Sequence, residues 1–176
     1  EKLQKAGVRV NYSFPDIKVH AKLALIRREE SGGTKLYSYL STGNFHEDTA
    51  KIYSDFSIFT ADPRLTGEIS RVFSFLENVK RPPQDFEHLL IGQFNLRKDL
   101  SEMIDFEIAE AKMGRPAQVT LKVNSLEDVE MIEKLYEASR AGVKIDLIVR
   151  GICCLIPMMK GFSENITAVS IVDRSE

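Results

Sequence analysis

Apolar and polar residues alternate from Ile17 to Leu25. Ile17, Val19, Ala21, Leu23 and Leu25 share one face of an expected strand, and Lys18, His20, Lys22 and Ala24 the other. That strand is expected to run to about Arg28, preceded by a short strand over residues 8–12 and a turn over 13–16. The polar stretch 29–33 reads as a hairpin loop, and residues 34–40, rich in strand formers, as the antiparallel partner. Residues 45–51 read as an irregular turn or short helix. Alternation returns over 53–59, with Tyr53, Asp55, Ser57 and Phe59 on one face. The period then changes. Asp62 is placed as a helix N-cap with Pro63 at the first helical position. Leu65, Ile69, Val72, Phe73 and Leu76 form an apolar stripe that Arg81-Pro82-Pro83 stops.

Beyond the proline pair, residues 88–91 suggest a short strand. Leu96, Leu100, Met103, Ile104 and Ile108 mark a second helix, stopped by Gly114-Arg115-Pro116. Residues 119–123 form a strand, and Ser125-x-x-Asp128 reads as a capping box with Asp in place of Glu. The helix that follows is expected to bury Leu126, Val129, Ile132 and Leu135 and to end at Gly142. Residues 143–149 then make a second strand, parallel to the first through a βαβ crossover, and 168–172 one more. The pattern predicts the α/β class, with mixed sheets flanked by helices, in two consecutive parts, residues 1–83 and 84–176.

Composition narrows the function classes. The chain has 176 residues, 43% hydrophobic and 28% charged, with a net charge of −2. No global basic field recruits nucleic acid or an anionic membrane, so any polyanion site must be local. No apolar run is long enough to span a bilayer, and no signal-peptide pattern opens the sequence as given. Cys153 and Cys154 are adjacent, a spacing that suits neither a disulfide scaffold nor a metal site, and a reducing cytoplasm is expected. The sequence starts at Glu1 and stops just after a strand-like run, which suggests a piece of something longer.

His20, Lys22 and Asn44 are the leading candidates for chemistry. Imidazole and ammonium two residues apart on a strand point the same way, roughly 7 Å apart. Asn44 follows in Leu40-Ser41-Thr42-Gly43-Asn44, where the second strand should end. An imidazole can act as nucleophile on a phosphoryl group, an ammonium can neutralise its oxygens, and an amide can orient either. A solvated edge-strand face would explain Lys18, His20 and Lys22 equally well. Arg150-Gly151 follows the last strand of the βαβ unit, where open α/β sheets bind ligands, and is read either as a phosphate ligand or as a surface ion-pair partner. His46 reads as a solvated loop residue, and His88 has no evident partner. Glu127, Asp128 and Glu130 read as first-turn charges suited to the helix dipole. Tyr53 is core by default, with a ring face that could stack on a base. No Gly-x4-Gly-Lys-Ser/Thr loop is present, which excludes a P-loop kinase.

His20-Ala21-Lys22 followed by Ser41-Thr42-Gly43-Asn44 resembles the His-x-Lys…Gly-Ser/Thr-x-Asn motif of the phospholipase D superfamily. The Asp usual after the Lys is missing, with Arg27 and Arg28 nearby, and Ser41 replaces the first Gly. Longer stretches resemble bacterial polyphosphate kinase of the first type. These are Lys18-Val19-His20-Ala21-Lys22-Leu23, Ser41-Thr42-Gly43-Asn44-Phe45, Thr49-Ala50-Lys51-Ile52-Tyr53-Ser54-Asp55, Arg71-Val72-Phe73-Ser74-Phe75-Leu76-Glu77-Asn78 and Val149-Arg150-Gly151-Ile152-Cys153. The C-terminal run Asn165 to Arg174 is similar to the same family.

The resemblance implies the latter part of one phospholipase-D-like catalytic domain over residues 1–83 and the first part of the next over 84–176. It implies reversible transfer of the terminal phosphate of ATP to polyphosphate through a phosphohistidine on His20. Lys22 and Asn44 would hold phosphoryl oxygens, and Tyr53 and Arg150 would contact nucleotide. Magnesium is the implied cofactor, with ligands upstream of Glu1, and the second catalytic histidine would lie past Arg174. ATP or ADP and polyphosphate are the implied partners, with a homo-oligomer at full length and peripheral membrane association of the parent as an option. The piece alone is expected to be inactive. A phosphodiesterase or nuclease of the superfamily, or a non-catalytic scaffold, are the rival readings.

Overall fold

The computed structural model describes residues 1–12, 18–78, 80, 82 and 84–171. They fall into two compact units, Glu1–Leu89 and a second from Leu90 onward. The expected α/β class holds: each unit carries a three-stranded sheet with helices, antiparallel in the first and parallel in the second.

The first unit runs α1 (Lys2–Lys5), β1 (Lys22–Glu30), β2 (Gly33–Ser41), α2 (Glu47–Ala50), β3 (Ser57–Thr60) and α3 (Pro63–Asn78). β1 and β2 pair over their whole length, from Lys22 opposite Ser41 to Glu30 opposite Gly33. The hairpin turn is therefore only Ser31-Gly32, tighter than the expected loop, with Gly33 at φ +109°. β3 pairs with β2 from Ser57, opposite Ser41, to Thr60, opposite Ser38.

This register corrects three expected strands. Residues 8–12 are irregular. β1 begins at Lys22 rather than Ile17; Lys18, Val19, His20 and Ala21 are irregular and exposed, while Ile17 and the expected turn 13–16 lie outside the described residues. β3 begins at Ser57 rather than Tyr53. The reason is the same at both starts: β2 ends at Ser41, so the residues before Lys22 and before Ser57 have no ladder partner in this sheet.

α3 starts as expected. The Asp62 carboxylate accepts from the Arg64 N–H at 2.9 Å. Its carboxyl is held down to about 2 by a hydrogen bond from the Arg64 guanidinium and then by that N–H. The helix packs on β1 and β2 and buries Ile69, Val72 and Phe75, with Phe73 and Leu76 half-buried. It ends at Asn78; Arg81 and Pro83 of the expected stop lie outside the described residues. Residues 88–91 do not form the expected strand; the His88 and Leu89 N–H groups go to the Glu68 carboxylate and that of Ile91 to Asn95 Oδ1.

The second unit runs α4 (Leu96–Lys112), β4 (Gln118–Val123), α5 (Val129–Arg140), β5 (Lys144–Val149) and β6 (Ile166–Val169). β4, α5 and β5 form the expected parallel crossover, and β6 adds in parallel to β5. β6 starts earlier than expected, and Val172 lies outside the described residues. Asp128 is itself the N-cap of α5, its Oδ1 accepting from the Met131 N–H at 3.0 Å, not the third residue of a capping box begun by Ser125. Two core assignments change with it. Val129 becomes the first helical residue and is 67% exposed, and Leu126 is buried ahead of the helix in a bridge to Cys153. The core gathers Ile104 and Ile108 of α4, Ile132, Leu135 and Ala138 of α5, Ile145, Leu147 and Val149 of β5, and Ile166 of β6.

Gly142 follows α5 at φ +98°, and a Cβ there would meet no atom within 4 Å. Any cost of a side chain is therefore backbone strain alone. Gly142→Ala is expected to destabilise by about 1–2 kcal/mol, read as a lowered unfolding midpoint. Among the described residues no helix is long and apolar enough to cross a membrane.

Candidate functional site

The irregular run before β1 carries His20, and the first residue of the strand is Lys22. The sequence placed both on one strand face; the structure instead folds the Lys22 side chain back over His20. Its Nζ lies 2.8 Å from Nδ1 and 3.1 Å from Nε2 of the imidazole, and donates to the His20 carbonyl at 2.8 Å. His20 is exposed and Lys22 is only 7% exposed. A largely buried ammonium thus meets an imidazole and a carbonyl, neither of which carries negative charge, leaving its own charge available to an anion at the exposed ring.

Asn44 enters through the register. Lys22 stands opposite Ser41, so the chain before β1 and the turn after β2 leave the sheet at the same end. The turn is tied to the chain entering β3. The Thr42 N–H donates to the Phe56 carbonyl at 3.0 Å. The Thr42 hydroxyl accepts from the Phe56 N–H at 3.0 Å and donates to Asp55 Oδ1 at 2.9 Å. Ser41 Oγ accepts from the Gly43 N–H at 2.9 Å and from the Ser57 hydroxyl at 3.1 Å. Tyr39 closes the group, with its hydroxyl 2.9 Å from Ser57 Oγ, and hydrogen bonds with Ser41 and then Ser57 hold its phenol below the ordinary value.

His46 caps α2, its Nδ1 accepting from the Thr49 N–H at 3.5 Å. Tyr53 lies past that helix, 42% exposed, outside any strand. Arg150 belongs to the second unit and directly follows β5. Its Nε and Nη2 donate to Asn124 Oδ1, at the end of the adjacent β4, at 2.8 and 2.6 Å. The Gly151 N–H donates to the Asn124 carbonyl at 2.6 Å, and a Cβ on Gly151 would stand 2.9 Å from that oxygen.

His88, without an evident partner in the sequence, has one. Glu68 on α3 is 3% exposed and accepts from the N–H groups of Glu87 at 2.9 Å, His88 at 3.2 Å and Leu89 at 2.8 Å. His88 Nδ1 lies 3.2 Å from the same carboxylate, and Arg71 pairs with it at 3.4 Å. Burial pushes the Glu68 carboxyl up. The Glu87 N–H, the His88 side chain and the Leu89 and His88 N–H groups outweigh it, leaving the carboxyl below the ordinary range. The open cleft beside it is lined by Arg64 and Arg71, but Arg64 is paired to Asp62 and Arg71 to Glu68.

Asp55, Ser57, Glu68 and Asn124 escaped the sequence reading. Asp55 and Ser57 stood in the alternating run 53–59, and Glu68 sat directly before Ile69 inside an apolar stripe, which was the available signal.

Comparison with known proteins matches residues 1–82 to the polyphosphate kinase C-terminal domain 1 and residues 89–175 to the polyphosphate kinase C-terminal domain 2. The chain is 49% identical over 174 residues to the polyphosphate kinase of Escherichia coli strain K12, covering 99% of this chain and 25% of that protein. It is equally similar, 49% over 174 residues with the same coverage, to that of Salmonella typhimurium strain LT2. The crystal structure of polyphosphate kinase from Porphyromonas gingivalis superposes with a TM-score of 0.87 at 41% identity, covering 99% of this chain and 29% of that one. The chain thus spans about a quarter of the length of the curated relatives it matches. Two consecutive α/β units thus match two consecutive C-terminal domains of one family. The chain belongs to the polyphosphate kinase family.

Proposed function

We propose that the chain supplies part of the centre at which a polyphosphate kinase moves the terminal phosphate of ATP reversibly to polyphosphate, with His20 as the residue phosphorylated in between. The observation that carries the reading is the Lys22 ammonium 2.8 Å from the His20 ring on the exposed end of the hairpin. In the forward step an imidazole nitrogen attacks the γ-phosphorus, the N–P bond forms, and the bond to the β-phosphate oxygen breaks, its electron pair leaving with ADP. A terminal polyphosphate oxygen then attacks the same phosphorus, and the N–P electron pair returns to the ring. Charge on the in-flight phosphoryl group falls on its equatorial oxygens, which is where a fixed ammonium acts. Lys22 takes that role and Asn44 orients a further oxygen; Tyr53 in the first unit and Arg150 in the second are each assigned to nucleotide contact.

Residues 1–83 and 84–176 are, on this reading, the adjoining parts of two phospholipase-D-like catalytic domains. Magnesium would supply neutralisation of the phosphate chain. Among the described residues no group of three His, Cys, Asp or Glu side chains is arranged to hold a metal ion.

The test is a brief pulse of γ-labelled ATP with magnesium on a full-length enzyme carrying this sequence, quenched into alkali. Acid-labile, alkali-stable label is expected on the peptide containing His20. Polyphosphate formation with no such label would overturn the covalent role of His20.

A further inference from the structure

We propose that Asn124 is a positioning residue for the nucleotide, aiming the Arg150 side chain beyond the carboxyl ends of β4 and β5. The inference rests on the assignment of Arg150 to nucleotide contact. β4 ends at Val123 and β5 at Val149, and these two are partners. Asn124 and Arg150 are therefore the first residues past the last rung of a parallel ladder, the edge at which open α/β sheets meet their ligands. The backbone stays in register one step further. The Arg150 N–H donates to the Val123 carbonyl at 3.2 Å and the Gly151 N–H to the Asn124 carbonyl at 2.6 Å. The Ser170 hydroxyl donates to the Arg150 carbonyl at 3.5 Å. The main chain of Arg150 is thus fixed without help from the Asn124 side chain.

The side chain needs a hold of its own. Arginine has many rotamers, and burial does not select among them here, because Arg150 is exposed. Asn124 Oδ1 accepts from Nε at 2.8 Å and from Nη2 at 2.6 Å. One oxygen seated against that edge of a planar guanidinium sets the direction of the whole plane. Both nitrogens can only donate, so the amide must present its oxygen. An amide oxygen is neutral and sets this direction without an ion pair that a triphosphate would have to displace. Gly151 keeps the two chains close: a Cβ there would stand 2.9 Å from the Asn124 carbonyl oxygen and 3.0 Å from Ser125 Oγ. A side chain aimed in advance loses less rotamer freedom when a phosphate arrives, an advantage of about 3–10-fold in affinity.

The test measures KM for ATP and kcat in polyphosphate synthesis, with thermal unfolding alongside, in a full-length enzyme carrying this sequence. Asn124→Ala is expected to raise KM for ATP about 3–10-fold with kcat changed less than about twofold. Its unfolding should not move, since the residue-124 carbonyl still takes the Gly151 N–H. Asn124→Asp keeps an acceptor of the same size and adds a negative charge. Its KM should rise at least as far, because the carboxylate pairs with Arg150 and repels the phosphates. Arg150→Ala should raise KM further than Asn124→Ala does. Adding Asn124→Ala to Arg150→Ala should then change KM by less than about 1.5-fold, because the amide has nothing left to aim. A purely structural role would give the same KM rise on both backgrounds and a lowered unfolding midpoint, and would overturn the inference. So would a parental KM in Asn124→Ala or in Asn124→Asp. If Arg150→Ala itself keeps the parental KM, the nucleotide role of Arg150 fails and the inference falls with it, so that one variant tells the two failures apart.

Discussion

Replacing His20 by Ala in a full-length enzyme carrying this sequence is expected to reduce both polyphosphate synthesis and the reverse formation of ATP by at least about 10⁴-fold, since loss of a covalent nucleophile costs up to on the order of 10⁶ in kcat. Both directions should fall together, because each passes through the same N–P bond. Folding should hardly notice. His20 is exposed, lies outside the β1 ladder, and meets the fold through the Lys22 ammonium, which keeps the residue-20 carbonyl as acceptor after the change. An exposed substitution of this kind is within about 0.5 kcal/mol in stability, so unfolding should shift little. Synthesis surviving at a tenth of the parental rate in a normally folded His20→Ala protein would return His20 to a surface role.

The sequence made the His20–Lys22 pairing legible, but by a route the structure corrects. Period-2 reasoning placed both on one strand face roughly 7 Å apart; they are in contact because β1 starts at Lys22 and the lysine reaches back. Where a strand starts is set by its neighbour. Here Ser41 ends β2, and nothing in residues 17–21 encodes that. The βαβ crossover was legible almost to the residue, since its hydrophobic periods and Gly142 are local signals. The α5 cap was half legible: the pattern predicts a capping box from Ser125 to Asp128, whereas Asp128 is itself the cap, and the shift carries Val129 from core to surface. The tie between Thr42 and Asp55 and the one between Asn124 and Arg150 cross between strands at separations with no characteristic spacing, so only coordinates reveal them.

Glu68 marks the far limit of sequence reasoning, and its replacement should have the largest effect on stability. In an apolar stripe it looks like a stray surface charge; in the structure it is 3% exposed and gathers three consecutive backbone donors, His88 and Arg71. Two of those donors, the His88 and Leu89 N–H groups, lie in the run 88–91 expected to pair as a strand, so the carboxylate takes the place of a missing neighbour. Glu68→Ala strands the three amide donors and removes the Arg71 ion pair, while Arg71 keeps its bonds to Gln84 and the Asp85 carbonyl, which places the cost at about 3–5 kcal/mol. Glu68→Gln keeps one acceptor and turns an amide donor toward others, and should fall between. Hydrogen exchange on the full-length protein reads this directly: the Glu87, His88 and Leu89 amides should lose protection in Glu68→Ala, while those of β4 and β5 keep theirs. The sign of the pH dependence follows from the lowered folded-state value. Stability from Glu68 is fully present above the unfolded carboxyl value of about 4.3 and is lost as pH falls through the lower folded one. Protection of these three amides should therefore hold from neutrality down to about pH 4.3 and collapse below it, and in Glu68→Ala that acid step should be gone. Unchanged protection in Glu68→Ala at neutral pH would mean that the segment is held by something other than this carboxylate.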